Sequence, residues 1–190
     1  MLNIIIFASG SGTNAENIIK YFSNSDLARV SYVLTNNSEA GVIERAKNLK
    51  VPVRTFSKAE MKSQQFLEFL TENADFIVLA GFLLMVPKSI ISEFNNKIIN
   101  IHPALLPKYG GRGMYGMHVH NAVVENREIE SGITIHYVNE HYDEGAIIFQ
   151  KTVKVDDTDT PEDVAAKIHL LEHENFPIVI ENLLKEFNAG

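Results

Sequence analysis

Short β-branched apolar runs alternate with longer amphipathic stretches over the first hundred residues, and that rhythm leaves few architectures open. The runs fall at 2–8 (LNIIIFA), 30–35 (VSYVLT), 51–56 (VPVRTF), 75–80 (DFIVLA) and 97–101 (KIINI). Several are apolar on consecutive positions, as strands covered on both faces tend to be. Between them, 14–22, 39–49, 58–71 and 87–94 read as helices, with Ser57 expected to cap the third and Pro87 to sit in the first turn of the fourth. Strand–helix alternation of this kind predicts an α/β fold: a doubly wound, mostly parallel sheet with flanking helices.

After Ile101 the rhythm changes. The stretch 102–116 carries two prolines and four glycines, a loop long enough to suggest a function. A helix over 117–126 and strands over 132–138 and 146–155 follow, separated by the polar turn NEHYDEG. A final helix starts near Thr160-Pro161 and runs to about 185, with a break expected at Pro177. Its apolar positions Val164, Ala165, Ile168 and Leu171 mark one helical face. Neither a repeat nor a linker interrupts the chain, so residues 1–190 are expected to form a single domain.

Composition removes several classes of function. With no cysteine, thiolate metal sites, disulfides and thiol nucleophiles are impossible. Lys plus Arg is 17 against 24 for Asp plus Glu, a formal charge of −7 that argues against a nucleic-acid partner. A small phosphorylated ligand needs only one local pocket and stays open. The apolar N-terminus has no basic residue ahead of it, and no stretch approaches the ~20 apolar residues of a membrane span. The expected location is cytoplasmic, with no membrane partner.

Three places can carry chemistry. Ser9-Gly10-Ser11-Gly12-Thr13-Asn14 follows the first strand and opens the first helix, where free N–H groups and the helix dipole favour an anion. With Ala15 the run also fits a dinucleotide fingerprint, but the end of the second strand holds Thr35, Asn36 and Asn37 where an acidic ribose ligand belongs. A monophosphate suits the loop better, and a plain tight turn is the ligand-free alternative. Asn100 and His102 lie two apart at the end of the fifth strand, so both project to one face while Ile101 points into the core. An amide beside an imidazole there can polarise a carbonyl and move a proton. Asp143, in the turn Tyr142-Asp143-Glu144-Gly145, gains a role only where folding brings it to His102.

Other patterns lead less far. The histidines at 118, 120, 136 and 141 have no metal-ligand spacing, since an i, i+2 pair on a helix diverges, and no metal site is expected. Lys167 and His169, near Glu172 on the last helix, are candidate cations for a phosphate. No G-x-S-x-G elbow occurs.

Taken together, the run 9–14, Leu79-Ala80-Gly81-Phe82, the stretch from Ile99 through Asn100-Ile101-His102-Pro103 to Tyr109, and the 142–145 turn resemble the folate-dependent formyltransferases, over nearly the whole chain. Within that family the length and the glycine loop are similar to those of the branch that formylates a ribonucleotide amine. The resemblance implies transfer of the formyl group of 10-formyltetrahydrofolate, as co-substrate and with no tightly bound cofactor, to N1-(5-phosphoribosyl)glycinamide in purine biosynthesis. It implies that Asn100 and protonated His102 stabilise a tetrahedral oxyanion, and that Asp143 positions His102 and a proton-relaying water. Gly12, Thr13, Asn14 and Glu172 would bind the phosphoribosyl substrate. Leu83, Leu84, Met85 and Val86, with Asn100, Glu140, Tyr142 and Lys62, would bind the folate. The assembly implied is a monomer or homodimer working on small molecules.

Two features depart from the family. Leu83-Leu84-Met85-Val86 stands where Met-Arg-Ile-Leu is common, so an arginine contact to the folate is missing. The segment 110–117 is longer than in familiar members; its glycines suggest a flap, with Arg112 meeting an anionic group. The alternatives are a sugar-nucleotide N-formyltransferase using the same three residues, a non-catalytic nucleotide-binding domain, and an NAD(P)-linked oxidoreductase, which the 35–37 stretch disfavours.

Overall fold

The computed structural model describes residues 1–189. In chain order the elements are β1 (Leu2–Phe7), α1 (Thr13–Phe22), β2 (Ala28–Thr35), α2 (Val42–Asn48), β3 (Val53–Thr55), α3 (Gln64–Asn73), β4 (Phe76–Leu79), α4 (Lys88–Glu93), β5 (Ile98–His102), α5 (Met117–Glu125), β6 (Glu130–Tyr137), β7 (Ile147–Lys154) and α6 (Pro161–Ala189). One seven-stranded sheet runs β3-β2-β1-β4-β5-β6-β7. The pairings among β1 to β5 are parallel, while β5–β6 and β6–β7 are antiparallel.

The consecutive apolar residues of the central strands serve two cores at once. In β1, Ile4 and Ile6 face the helices α1, α2, α5 and α6, whereas Ile5 and Phe7 face α3 and α4. Each such side chain is essentially fully buried and contributes ~1.5–3 kcal/mol. The loops at the strand ends are therefore carried by a stiff platform. In β5, Ile99 and Ile101 enter the α1/α6 core, which leaves Asn100 and His102 on the face of Ile98, as strand alternation requires.

Three expected boundaries differ for identifiable reasons. Ser57 does not cap α3: its hydroxyl accepts from Glu60 N–H in a short 3-10 turn, and Ser63 caps α3 by accepting from Phe66 N–H at 3.2 Å. Pro87 stands one residue before α4 with extended backbone, at the cap rather than in the first turn. Pro177 does not break α6, which is continuous through it. A proline at 177 frees the carbonyl of His173, four residues back, and the Asn17 amide donates to that carbonyl at 2.8 Å. The polar cost of the proline is thus offset by a neighbouring helix.

Candidate active site

The chain winds outward from β1 through β2 to β3, then returns beside β1 as β4. Ligand crevices form at such a switch point, beyond the carboxyl ends of the strands. Here a cleft of about 820 Å³ opens between the loop after β1 and the loops after β4 and β5. Its size suits a small organic ligand.

One wall is the anion loop. Gly12 has φ +77°, and a Cβ on it would lie 2.4 Å from Val42 Cβ and Cγ2, so only glycine lets α2 approach. The Gly10 carbonyl accepts from Val42 N–H (3.1 Å) and the Gly12 carbonyl from Glu16 N–H (2.9 Å). The Ser11 carbonyl accepts from Arg45 Nε at 2.9 Å. Among the described residues, the N–H groups of Ser11, Gly12, Thr13 and Asn14 meet no protein acceptor. Ser9, just before them, is a strut. Its hydroxyl donates to Asn36 Oδ1 (2.6 Å) and accepts from Leu83 N–H (3.0 Å), and its own N–H donates to the Gly81 carbonyl (2.9 Å).

The opposite wall gathers buried polar groups. Asp143 lies between two histidines, with Oδ2 3.5 Å from His102 Nδ1 and Oδ1 3.6 Å from His136 Nε2. Asp143 Oδ2 also accepts from Gly111 N–H at 2.9 Å. His102 Nε2 donates to the Tyr109 carbonyl at 2.7 Å, and His136 Nδ1 to the Tyr137 carbonyl at 2.8 Å. A ring nitrogen facing a carbonyl must carry the proton, so His136 donates through Nδ1, and the nitrogen it turns toward Asn100 is Nε2. Asn100 Nδ2 donates to it at 3.2 Å, which fixes the side-chain amide with its N–H edge toward His136. Burial pulls His102 below the usual histidine range, and the attraction of Asp143 offsets only part of this. Burial pushes Asp143 up, but His136, His102 and the Gly111 N–H outweigh it and hold the carboxyl low. Both directions favour a neutral imidazole beside a carboxylate at rest.

The third side comes from α6 and α5. Glu172 accepts from Asn14 Nδ2 at 2.9 Å and lies 3.4 Å from His169 Nδ1. That hydrogen bond with Glu172 lifts His169 above its ordinary value. His120 is 5% exposed, lines the same cleft, and has a buried Nδ1 with no partner among the described residues.

A formyl transferase family model matches residues 2–180. The chain belongs to the formyl transferase family. A protein of Bacillus subtilis named phosphoribosylglycinamide formyltransferase is 34% identical over 197 residues, spanning 100% of this chain and 98% of that one. The chloroplastic phosphoribosylglycinamide formyltransferase of Vigna unguiculata is 39% identical over 96% of this chain. The chain spans less than two thirds of the length of the plant relatives it matches: 61% in Vigna and 65% in Arabidopsis thaliana. Among solved structures, glycinamide ribonucleotide transformylase 1 of Symbiobacterium toebii superposes with a TM-score of 0.88 at 30% identity, covering 98% of this chain and 89% of that one.

Most residues singled out in this formyl transferase's sequence meet in the one cleft: Gly12, Thr13, Asn14, Leu83 to Val86, Asn100, His102, Tyr142, Asp143 and Glu172 all line it. Lys62 does not; it is exposed on the 3-10 turn Glu60–Lys62, away from the lining. Glu140 is also outside the lining and pairs with Lys88 at 3.0 Å. Lys167 is tied to Asp156, Asp159 and the Lys154 carbonyl, which takes it away from the anion loop. The segment 111–116 lies along the cleft, and Arg112 is in its lining. Among the described residues no group of three or more His, Asp or Glu is arranged for a metal ion, and no helix is long and apolar enough to cross a membrane.

Sequence reasoning passed over His120 and His136, which it weighed only as metal ligands, and Thr134. The Thr134 hydroxyl donates to the Ala104 carbonyl and accepts from Leu106 N–H and Gln150 Nε2, pinning the base of the 103–116 loop. The available signal was alternation: Thr134 and His136 lie two apart on a strand, opposite His102 and Asn100.

Proposed function

We propose that residues 1–190 form one formyltransferase domain that transfers the formyl group of 10-formyltetrahydrofolate to the amine of N1-(5-phosphoribosyl)glycinamide, giving the N-formyl product and tetrahydrofolate. The observation that carries this reading is a single cleft lined both by four backbone amides with no protein acceptor among the described residues and by the partly buried Asn100–His102–Asp143 group. An anion-holding end and an acyl-transfer end at one site suit a phosphorylated amine acceptor. The phosphate sits on the amides of Gly12, Thr13 and Asn14, Glu172 takes the ribose and amine end, and the apolar 83–86 wall with Tyr142 takes the flat pterin.

Neutral His102 faces the Asp143 carboxylate through Nδ1, so two acceptors oppose each other at 3.5 Å. A donor placed between them, the substrate amine or a water, satisfies both. The amine nitrogen attacks the formyl carbon, and the developing oxyanion takes the second N–H of Asn100. A preorganised donor of this type contributes ~3 kcal/mol. His102 accepts the proton that the amine nitrogen sheds, and Asp143 stabilises the imidazolium. The proton then passes to the folate nitrogen as its bond to the formyl carbon breaks. The acid–base part contributes ~10²–10⁴-fold.

The test mixes purified protein with both substrates and follows folate deformylation by absorbance. Turnover requiring the ribonucleotide and lost in His102→Ala is the expected result. Deformylation without an acceptor indicates a hydrolase, deformylation only with an amino-sugar nucleotide indicates a sugar formyltransferase, and no deformylation overturns the reading.

A further inference from the structure

The four unpartnered amides of the anion loop do not orient themselves. In a trans peptide the C=O and the following N–H point in opposite directions. Whatever holds a carbonyl on one side of the loop therefore aims the next amide to the other. The Gly10 carbonyl is held by the Val42 N–H and the Gly12 carbonyl by the Glu16 N–H, both backbone contacts that no side-chain substitution removes. The Ser11 carbonyl between them is different. Its partner is a side chain, the Nε of Arg45 at 2.9 Å, supplied by α2.

We infer that Arg45 is a positioning residue for the phosphate of the acceptor substrate: by holding the Ser11 carbonyl it turns the Gly12 N–H into the cleft, and it sets a guanidinium behind the anion loop. The inference rests on the phosphoribosyl reading above and goes beyond it to a residue outside the cleft lining. The electrostatics agree. Arg45 Nη1 pairs with Glu16 Oε2, and Lys20 pairs with the same Glu16, so two cations share one carboxylate and the cluster keeps a positive balance. Glu16, in the first turn of α1, would otherwise set its charge against a phosphate at that helix end. Arg45 thus does two things: it aims one donor and it masks one repelling group. The close approach of α2 makes this possible: a Cβ at Gly12 would meet Val42 at 2.4 Å, and one at Gly41 would press on the Ser11 carbonyl oxygen at 3.2 Å.

The discriminating measurement is the Michaelis constant for phosphoribosylglycinamide and for its dephosphorylated form, ribosylglycinamide, in wild type and Arg45→Gln. In R45Q the constant for the phosphorylated substrate is expected to rise about tenfold, as loss of one oriented, charge-supported contact implies. The value for ribosylglycinamide, the constant for the formyl donor and kcat stay at wild-type levels. Arg45→Lys, which keeps a charge and a donor, serves where R45Q folds poorly, with an intermediate rise expected. Equal losses with both acceptors, or no loss with the phosphorylated one, overturn the inference while leaving the transferase reading intact. Should wild type turn over neither acceptor, inorganic phosphate is titrated instead against the Gly12 amide resonance. A weaker midpoint in R45Q supports the inference, and an unchanged midpoint overturns it.

Discussion

Asp143→Asn removes a charge and little else. Asparagine is nearly isosteric, and its side-chain oxygen still accepts the Gly111 N–H that Asp143 receives at 2.9 Å. What disappears is the attraction between a carboxylate and an imidazolium whose nearest atoms are 3.5 Å apart, with side chains only 11% and 4% exposed. Two opposite charges ~4 Å apart attract by ~4 kcal/mol at an effective dielectric of ~20. Relaxation and the other groups around the pair absorb part of this, so a loss of ~2–3 kcal/mol is expected, about a hundredfold in kcat. The pH dependence carries a sign that a merely disrupted site would not reproduce. His102 must be neutral to take a proton, so kcat rises with pH through its pKa. Burial already holds that pKa below the usual histidine range, and Asp143 pulls it partway back. Without the carboxylate the pKa falls further, so the acid limb moves to lower pH while the plateau drops. The assay is folate deformylation at saturating substrates across the acid limb. A limb displaced to higher pH, or a plateau equal to wild type, refutes the reasoning.

Two further expectations concern the scaffold beneath the site. Gly12→Ala forces a positive φ on alanine and a Cβ into Val42, which costs about 3 kcal/mol and lowers Tm by roughly 10 °C, whereas Gly10→Ala, with nothing within 4 Å, leaves Tm near wild type. Differential scanning calorimetry of the pair checks this, and equal Tm values would remove the steric argument. Asn17→Ala leaves the His173 carbonyl without its partner and lowers stability by about 1 kcal/mol, or ~2–4 °C in Tm. Because alanine at 177 restores a helical N–H for that carbonyl, the same substitution made in Pro177→Ala should cost less, and a strictly additive double mutant contradicts the compensation.

The central strands β1, β4 and β5 were legible because burial on both faces writes itself as consecutive apolar residues, and the outer β2 and β3, less buried, also fall within their expected apolar runs or overlap them. Helix starts were less legible. Ser57 reads as the cap of α3, but a 3-10 turn intervenes and moves the cap to Ser63. Pro177 reads as a break because its missing N–H is visible in the sequence, while the Asn17 side chain that answers it lies 156 positions from the carbonyl it serves. The same separation divides the site. Asn100 and His102 are close in sequence, and alternation gives their common face. His136 reaches Asn100 only because β6 runs antiparallel beside β5, a pairing no local pattern announces. Lys62, read among the folate ligands, sits on an exposed turn outside the cleft lining, since charge at a surface position says nothing about which surface.

Ser9 has a kinematic consequence. One hydroxyl and one N–H tie the anion loop to the end of β2 and to the 81–83 turn, so the acceptor and donor walls share a common floor. The spacing between the two ligands is then a fixed dimension of the sheet, set before either arrives. The glycine-rich 110–116 segment has no tie to that floor and is held instead through Gly111, whose N–H rests on the Asp143 carboxylate.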